Sequence, residues 1–420
     1  MNLSNKNILA NLIVLITIIS VNEFSVFPIG NTFSSWCVYF ITILFFLNGI
    51  KYYYNAINNK NFLFIKLYLS WLVISIVRGI FVAENYWDFK SLIHSGSALL
   101  IFISIFVFTN PNVIQHILSK WLKIALPLFL VFMFFITREI FGSYLITLSF
   151  FLLFFPYLSK KWKLVVLLFS IFVVFIDLDA RSTVIKFSAA FLLSFLFYFK
   201  KQIKFKIFNL IFIFSFSVPF LLLLLGITGV FNVFKMDEYI KGDLTEKVKV
   251  NNETRIADLK SDTRTFLYKE VITSAIKNKY VIIGRSPARG NESETFGIHA
   301  AEELKTGRYE RYGNEVSILN IFTWMGIVGV VLYLLVFFKA AYLAITKSNS
   351  NFLRIIGLYV TFRWIYAWVE DQNNFNINNI LLCMVIGMCY SEKFRAMSDS
   401  DFKNWLNSIF KGQPYLKSGI

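Results

Sequence analysis

The chain has 420 residues, 57% of them hydrophobic, with 49 Phe and a formal net charge of +17 at pH 7. A soluble globular chain is nearer roughly 45–50% apolar, so composition excludes an ordinary soluble domain and points to a membrane protein. The positive charge falls in short clusters between apolar runs, which is the pattern of topology signals against anionic lipid and not of a nucleic-acid-binding face.

Taken in chain order, windows of membrane-spanning length predict twelve apolar runs. They lie at 8–27, 33–50, 62–83, 91–109, 121–137, 141–158, 162–178, 182–199, 207–230, 314–338, 352–370 and 377–391. The first is too long for a signal-peptide core and lacks a small-residue cleavage site, so it reads as a retained span. The expected fold class is all-α: a polytopic membrane protein of twelve helices with one large outer loop containing short helices. Residues 1–234 carry nine spans, 235–313 the loop, 314–391 three spans and 392–420 a cytoplasmic tail. With the N-terminus inside, the inner loops and tail carry 21 Lys and Arg, whereas the short outer loops carry only Lys90, Arg138 and Arg181. That asymmetry predicts both termini in the cytoplasm and the large loop outside.

Three basic residues fall within the outer halves of predicted spans: Arg78, Lys186 and Arg363. A charge in lipid costs roughly 2.5–3.5 kcal/mol on insertion scales, so each needs a reason. One reason is snorkelling, or pairing with Glu84, Asp177, Asp179 or Glu370. The other is a positively charged cavity open to the outside, which the placement of all three in outer helix halves favours.

The loop breaks the hydrophobic rhythm with fifteen Lys/Arg and thirteen Asp/Glu over residues 235–312. Within it, 262–279 reads as an amphipathic helix, with Leu267, Val271 and Ala275 at i, i+4 and i+8. Ser261 or Asp262 supplies a cap. Arg264 is expected in the first turn, where the positive end of the helix dipole adds to its charge. A Gly284–Gly290 turn follows and brings in Arg285 and Arg289, whose forks suit phosphate oxygens. Ordinary solvated arginines are the plain alternative. Residues 291–311 show no clear period and read as a mobile lid or a disordered stretch, with Glu302, Glu303 and Glu310 solvated.

At the loop exit stands Glu315, which is suited to act as general base toward a sugar hydroxyl. The alternative is an acid in the first helical turn that complements the dipole. Tyr86, Trp87, Trp364, Tyr366 and Trp368 suit either sugar stacking or an interfacial aromatic belt. Cys37, Cys383 and Cys389 make no CxxC pair, and His94, His116 and His299 give no metal spacing. No Walker A sequence is present, which excludes ATP as the energy source. Asp177-Leu178-Asp179 is the one outward Asp-x-Asp, and it straddles a membrane edge. No metal and no cofactor are assigned.

The layout resembles the bacterial O-antigen polymerase and ligase superfamily. Arg264 begins Arg-Thr-Phe-Leu-Tyr-Lys-Glu, Gly284 to Gly290 supply a turn, and Glu315 stands eleven residues before Gly326-Ile327-Val328-Gly329. Asp179-Ala180-Arg181-Ser182 is similar to the family's Ser-Arg element at an earlier outer mouth. Glu370-Asp371-Gln372-Asn373-Asn374-Phe375-Asn376 is similar to polymerase members. The likeness covers roughly residues 177–391. Glu315 stands where the ligase branch has His, which favours a polymerase. The resemblance implies a glycosyltransferase in the bacterial inner membrane that polymerises undecaprenyl-pyrophosphate-linked oligosaccharide repeat units on the outer face. Glu315 would be its base, and Arg181, Arg264, Arg285 and Arg289 would meet the pyrophosphate. The implied partners are the lipid-linked glycan, membrane lipid and a chain-length regulator protein, with no nucleic acid. The rivals are ligase-type transfer of finished polysaccharide and a flippase. A flippase is expected to show internal repeats, and none is found here.

Overall fold

Eighteen α-helices, four 3₁₀ turns and two short β-ribbons are found among the described residues, and apolar helices dominate. The computed structural model describes residues 3–50, 60–177, 180–197, 205–235, 238, 245–250, 253–258 and 264–412. The helices before the loop are α1 (Leu3–Asn22), α2 (Thr32–Ile50), α3 (Leu63–Val82), α4 (Tyr86–Leu100), α5 (Ser104–Val107), α6 (Pro111–Phe132), α7 (Phe141–Tyr144), α8 (Thr147–Leu152), α9 (Lys160–Ile176), α10 (Arg181–Phe195) and α11 (Phe205–Ile227). The loop contributes β1 (Thr245–Val250) paired antiparallel with β2 (Glu253–Asp258), then α12 (Thr265–Lys277). It ends with β3 (Asn291–Glu292), α13 (Gly297–Leu304) and β4 (Glu310–Arg311), with β3 and β4 antiparallel. After it come α14 (Ser317–Thr346), α15 (Asn351–Tyr366), α16 (Ile377–Tyr390), α17 (Glu392–Arg395) and α18 (Asp399–Lys411).

Seven described helical stretches are long and apolar enough to cross a membrane: Ser4–Asn22, Thr32–Ile50, Lys60–Val82, Tyr86–Val107, Pro111–Phe132, Lys206–Ile227 and Ser317–Thr346. α16 is apolar but shorter. This is the architecture of a mainly helical, multi-pass membrane protein. Apolar side chains left outside the bundle fit that reading. Leu210, Phe214, Leu221 and Leu224 of α11 are exposed, as are Phe81, Phe134 and Phe175. So much exposed apolar surface suits lipid and not water.

Some boundaries differ from the sequence reading, for physical reasons. The run expected from residue 121 begins at Pro111, because Asn110 caps the helix by accepting from the Asn112 amide and proline sits in the first turn. Asn112, Gln115 and His116 had depressed the hydropathy there. The run at 141–158 is not one helix. It is α7, α8 and a 3₁₀ turn at Phe155–Tyr157, nearly all buried in protein, where broken backbone is tolerated. The loop adds two ribbons to the expected all-α plan.

α14 is central: it packs against α3, α11, α15 and α16. Tyr68, Tyr333, Phe337 and Trp364 meet around it as tilted ring pairs. The amphipathic α18 docks back on α6, with Trp405 Nε1 donating to Pro111 O at 2.9 Å. The bundle therefore presents a fixed mouth to which the loop is attached.

Candidate active site

The loop is anchored by a break in α14. Gly326 has φ +67° and ψ −169°, which interrupts the helical backbone and frees amides and carbonyls on either side. Loop backbone takes them up. The Arg285 and Ser286 amides donate to Thr323 O and Trp324 O at 2.7 and 3.0 Å, and the Ile327 and Val328 amides donate to Val281 O and Ile282 O at 2.9 and 3.3 Å. Trp71 of α3 donates its indole N–H to Met325 O at 2.9 Å. Arg78 of the same helix donates to Ile283 O and Gly284 O at 2.9 and 2.7 Å. Arg78 thus holds the Gly284 turn in place.

A second set of contacts ties down the rest of the loop. Arg289 grips Glu310 bidentately, Nε at 3.0 Å and Nη2 at 2.6 Å. Arg285 reaches the same carboxylate at 3.1 Å and donates to Gly290 O. Arg308 pairs with Glu84 and with the buried Asp88, which also accepts from the Tyr312 hydroxyl at 2.6 Å. The pairing to Glu310 raises the pKa of Arg289. Two sequence expectations change here. Glu310 is buried and not solvated. Residues 291–311 carry a ribbon and a helix, where a lid without period was expected.

The junction itself is built on asparagines. The Asn314 amide donates to Asn320 Oδ1 at 2.6 Å, Asn320 Nδ2 returns a bond to Asn314 O at 2.8 Å, and Asn314 Nδ2 reaches Asn291 Oδ1 at 3.0 Å. This fixes the residue between them and the helix, Glu315. It lies outside the first turn of α14, before the N-cap Val316. Its carboxylate accepts from Arg264 and, at 3.2 Å, from Arg311. That geometry differs from the dipole-complementing alternative. Arg311 stacks over Phe296 at 4.4 Å, and its Nη1 is buried without a partner. Because β4 alternates sides, Glu310 serves the anchoring arginines while Arg311 serves Glu315.

Arg264 joins three elements. It is the N-cap residue of α12, Nη1 donates to Glu315, Nη2 lies 3.4 Å from Glu370, and Nε donates to Val369 O at 3.2 Å. α12 buries Leu267, Val271 and Ala275 as its period predicted. The capping residues Ser261 and Asp262 lie outside the described residues. Burial raises the Glu370 carboxyl above its usual range, against the pull of Lys186 and Arg264. Burial raises Asp371 too, although it accepts from Ser317 Oγ at 3.2 Å and Asn374 Nδ2 at 2.9 Å.

The remaining candidates sit around this mouth. Arg181 opens α10 and is exposed; its neighbour Ser182 accepts through its carbonyl from the Tyr366 hydroxyl at 3.2 Å. Leu178 and Asp179 lie outside the described residues. Lys186 and Arg363 are both buried at the same end of the bundle. Trp364 and Trp368 are buried against Phe216 and Phe220, as core packing. Tyr86 is exposed. Beside Arg264 opens a cleft of about 440 Å³, lined mainly by apolar groups including Leu222, Leu223, Ile227, Tyr268 and Trp368.

The structure brings together Arg264 and Glu315, which the sequence reading had singled out separately. It gives Arg285 and Arg289 to Glu310 instead. Sequence reasoning missed Arg311, Asp88 and Arg308 as participants, and it took Glu370 as part of a motif and as a partner for basic residues in the spans, not for Arg264. Arg311 was findable, since it stands four residues before Glu315. The Asp88–Arg308 pair spans 220 positions and leaves no local signal. No protein-family model, no curated protein and no solved structure matches this chain.

Proposed function

We propose that this chain is a glycosyltransferase of the outer face of the bacterial inner membrane. It polymerises undecaprenyl-pyrophosphate-linked oligosaccharide repeat units, with twelve spans, both termini inside and the large loop outside. The observation that carries the reading is the Arg264–Glu315 pair at the loop-to-helix junction, with Arg311 on the other side of the same carboxylate. A base and two phosphate-binding forks share one mouth beside an apolar cleft. The cleft suits part of a polyprenyl tail.

The pairing also supplies a sequence of events. An arriving pyrophosphate competes with Glu315 for Arg264 and Arg311, because guanidinium forks bind phosphoryl oxygens at least as well as a carboxylate. The displaced Glu315 is then free to accept a proton from the acceptor sugar hydroxyl. That oxygen attacks the anomeric carbon, the carbon–oxygen bond to pyrophosphate breaks, and the arginines meet the leaving charge. General-base help of this kind is worth about 10²–10⁴-fold. Fixed cations in a partly dry site add to it without reorganisation. Arg285 and Arg289 act in this scheme by holding the loop through Glu310.

The test is the surface-glycan ladder of a cell lacking this chain. Products one repeat unit long support the polymerase. Complete absence of surface sugar points to a flippase or ligase instead.

A further inference from the structure

Lys186 and Arg363 are two cations inside the bundle whose charge is not met by a bonded carboxylate among the described residues. Lys186 is 6% exposed and Arg363 0%. Arg363 Nε donates to Gln372 Oε1 at 2.9 Å and Nη1 to the Tyr359 hydroxyl at 3.4 Å, both neutral groups. Its Nη2 is buried and has no partner. Lys186 Nζ lies 5.6 Å from the centre of the Tyr366 ring. The two cations lie within electrostatic reach of one another. Glu370 also acts electrostatically on Lys186, and its carboxylate oxygen is 3.4 Å from Arg264.

The magnitudes say that something is missing. A buried ion without a partner costs several kcal/mol even after relaxation. A desolvated ring contact returns about 2 kcal/mol or somewhat more, which offsets only part of that cost. Two such cations also repel each other. A chain that only needed to fold would be better served by methionine or leucine at both positions.

We propose that Lys186 and Arg363 form an internal seat for a phosphate-class anion. The unpartnered Nη2 and the weakly held Nη1 of Arg363 present one planar fork, which suits phosphoryl oxygens. The Lys186 ammonium adds a point charge, so the seat matches a dianionic group. The seat does not depend on the reaction proposed above. It is compatible with a soluble phosphate or with the phosphate of a membrane lipid, and the test separates the two.

The experiment is thermal unfolding of the full chain in detergent, with inorganic pyrophosphate or with phosphatidic acid added to the micelles. Wild type, Lys186→Met, Lys186→Arg, Arg264→Gln, and Arg264→Gln combined with Lys186→Met or with Arg363→Met are compared. Wild type, Lys186→Arg and Arg264→Gln should gain a few degrees in Tm at saturating anion. In the Arg264→Gln background, which removes one fork of the mouth site, adding Lys186→Met or Arg363→Met should abolish most of that gain. Without anion, Lys186→Met should be as stable as wild type or more so, since it removes a desolvated charge at similar volume. A shift with pyrophosphate assigns a soluble or exposed phosphate, and a shift with phosphatidic acid alone assigns a lipid phosphate. No shift in wild type with either anion overturns the proposal. So does a shift in Arg264→Gln that survives addition of Lys186→Met, or a shift abolished by Arg264→Gln alone, or a ligand-free Lys186→Met less stable than wild type.

Discussion

Gly284 and Gly326 stack backbone against backbone: the loop turn at one fills the helix break at the other. Both have positive φ, +71° and +67°. A Cβ on Gly284 would meet the Gly326 and Met325 amides, and one on Gly326 would collide with Ile282 O. Neither glycine tolerates a side chain for that reason. The interlock makes the loop part of the bundle and sets where Arg264 meets Glu315.

Gly326→Ala is therefore expected to destabilise by about 2 kcal/mol or more, through strain and lost backbone bonds. Gly313→Ala, which meets open space, should stay close to wild type. Thermal unfolding of the two in detergent checks this. Equal Tm values would remove the interlock from the account.

Glu310 is predicted to be a scaffold residue. Removing one member of a buried ion pair typically costs about 3–5 kcal/mol, because the other charge is left unmet. Glu310→Gln leaves Arg289 and Arg285 facing a neutral amide. Its Tm should fall sharply and residues 291–311 should become protease-sensitive. An unchanged digestion pattern would contradict that role.

How much of this was legible in the sequence follows from the range of each interaction. The helix at 265–277 was legible because Leu267, Val271 and Ala275 repeat with the helical period. Arg264 and Glu315 were each singled out by resemblance and spacing, but their ion pair was not expected. Nor was the helix break, because Gly326 reads as an ordinary glycine until the loop backbone is seen against it. Glu310 was misread for a related reason. Its burial comes from Arg285 and Arg289 folding back across a turn, and no local pattern encodes that. Arg78 was seen as an intramembrane charge, but its partners are backbone carbonyls, which have no sequence signature.

Glu370 gives a pH dependence. Its folded pKa is raised above the ordinary 4.5 by burial, so the folded state holds the proton more tightly than the unfolded state. That contribution is present below about pH 4.5 and is lost as pH rises through the raised value. Glu370→Gln removes it. The Tm of the variant relative to wild type should therefore climb as pH rises from 4.5 toward neutrality. A difference that is flat across this range would contradict the burial of Glu370.

Orientation is tested by labelling. Lys305 in the loop and Lys411 in the last helix are both exposed. In a Cys37→Ser background, Lys305→Cys should react with a membrane-impermeant thiol reagent in intact cells, and Lys411→Cys only after lysis. The reverse pattern would place the Arg264–Glu315 site on the wrong side for a carrier-linked glycan.

The most direct test of the proposed chemistry is polymer length in Glu315→Gln at matched expression. The variant keeps the size and much of the hydrogen bonding of Glu315 but cannot take up a proton at working pH. The exposed ion pairs it loses are worth only about 0–1 kcal/mol, so folding should be close to normal. The account predicts an inserted, folded protein that makes little or no polymer, with partial recovery in Glu315→Asp. A Glu315→Gln variant with wild-type ladders would show that this carboxylate only anchors Arg264 and Arg311, and would contradict the mechanism.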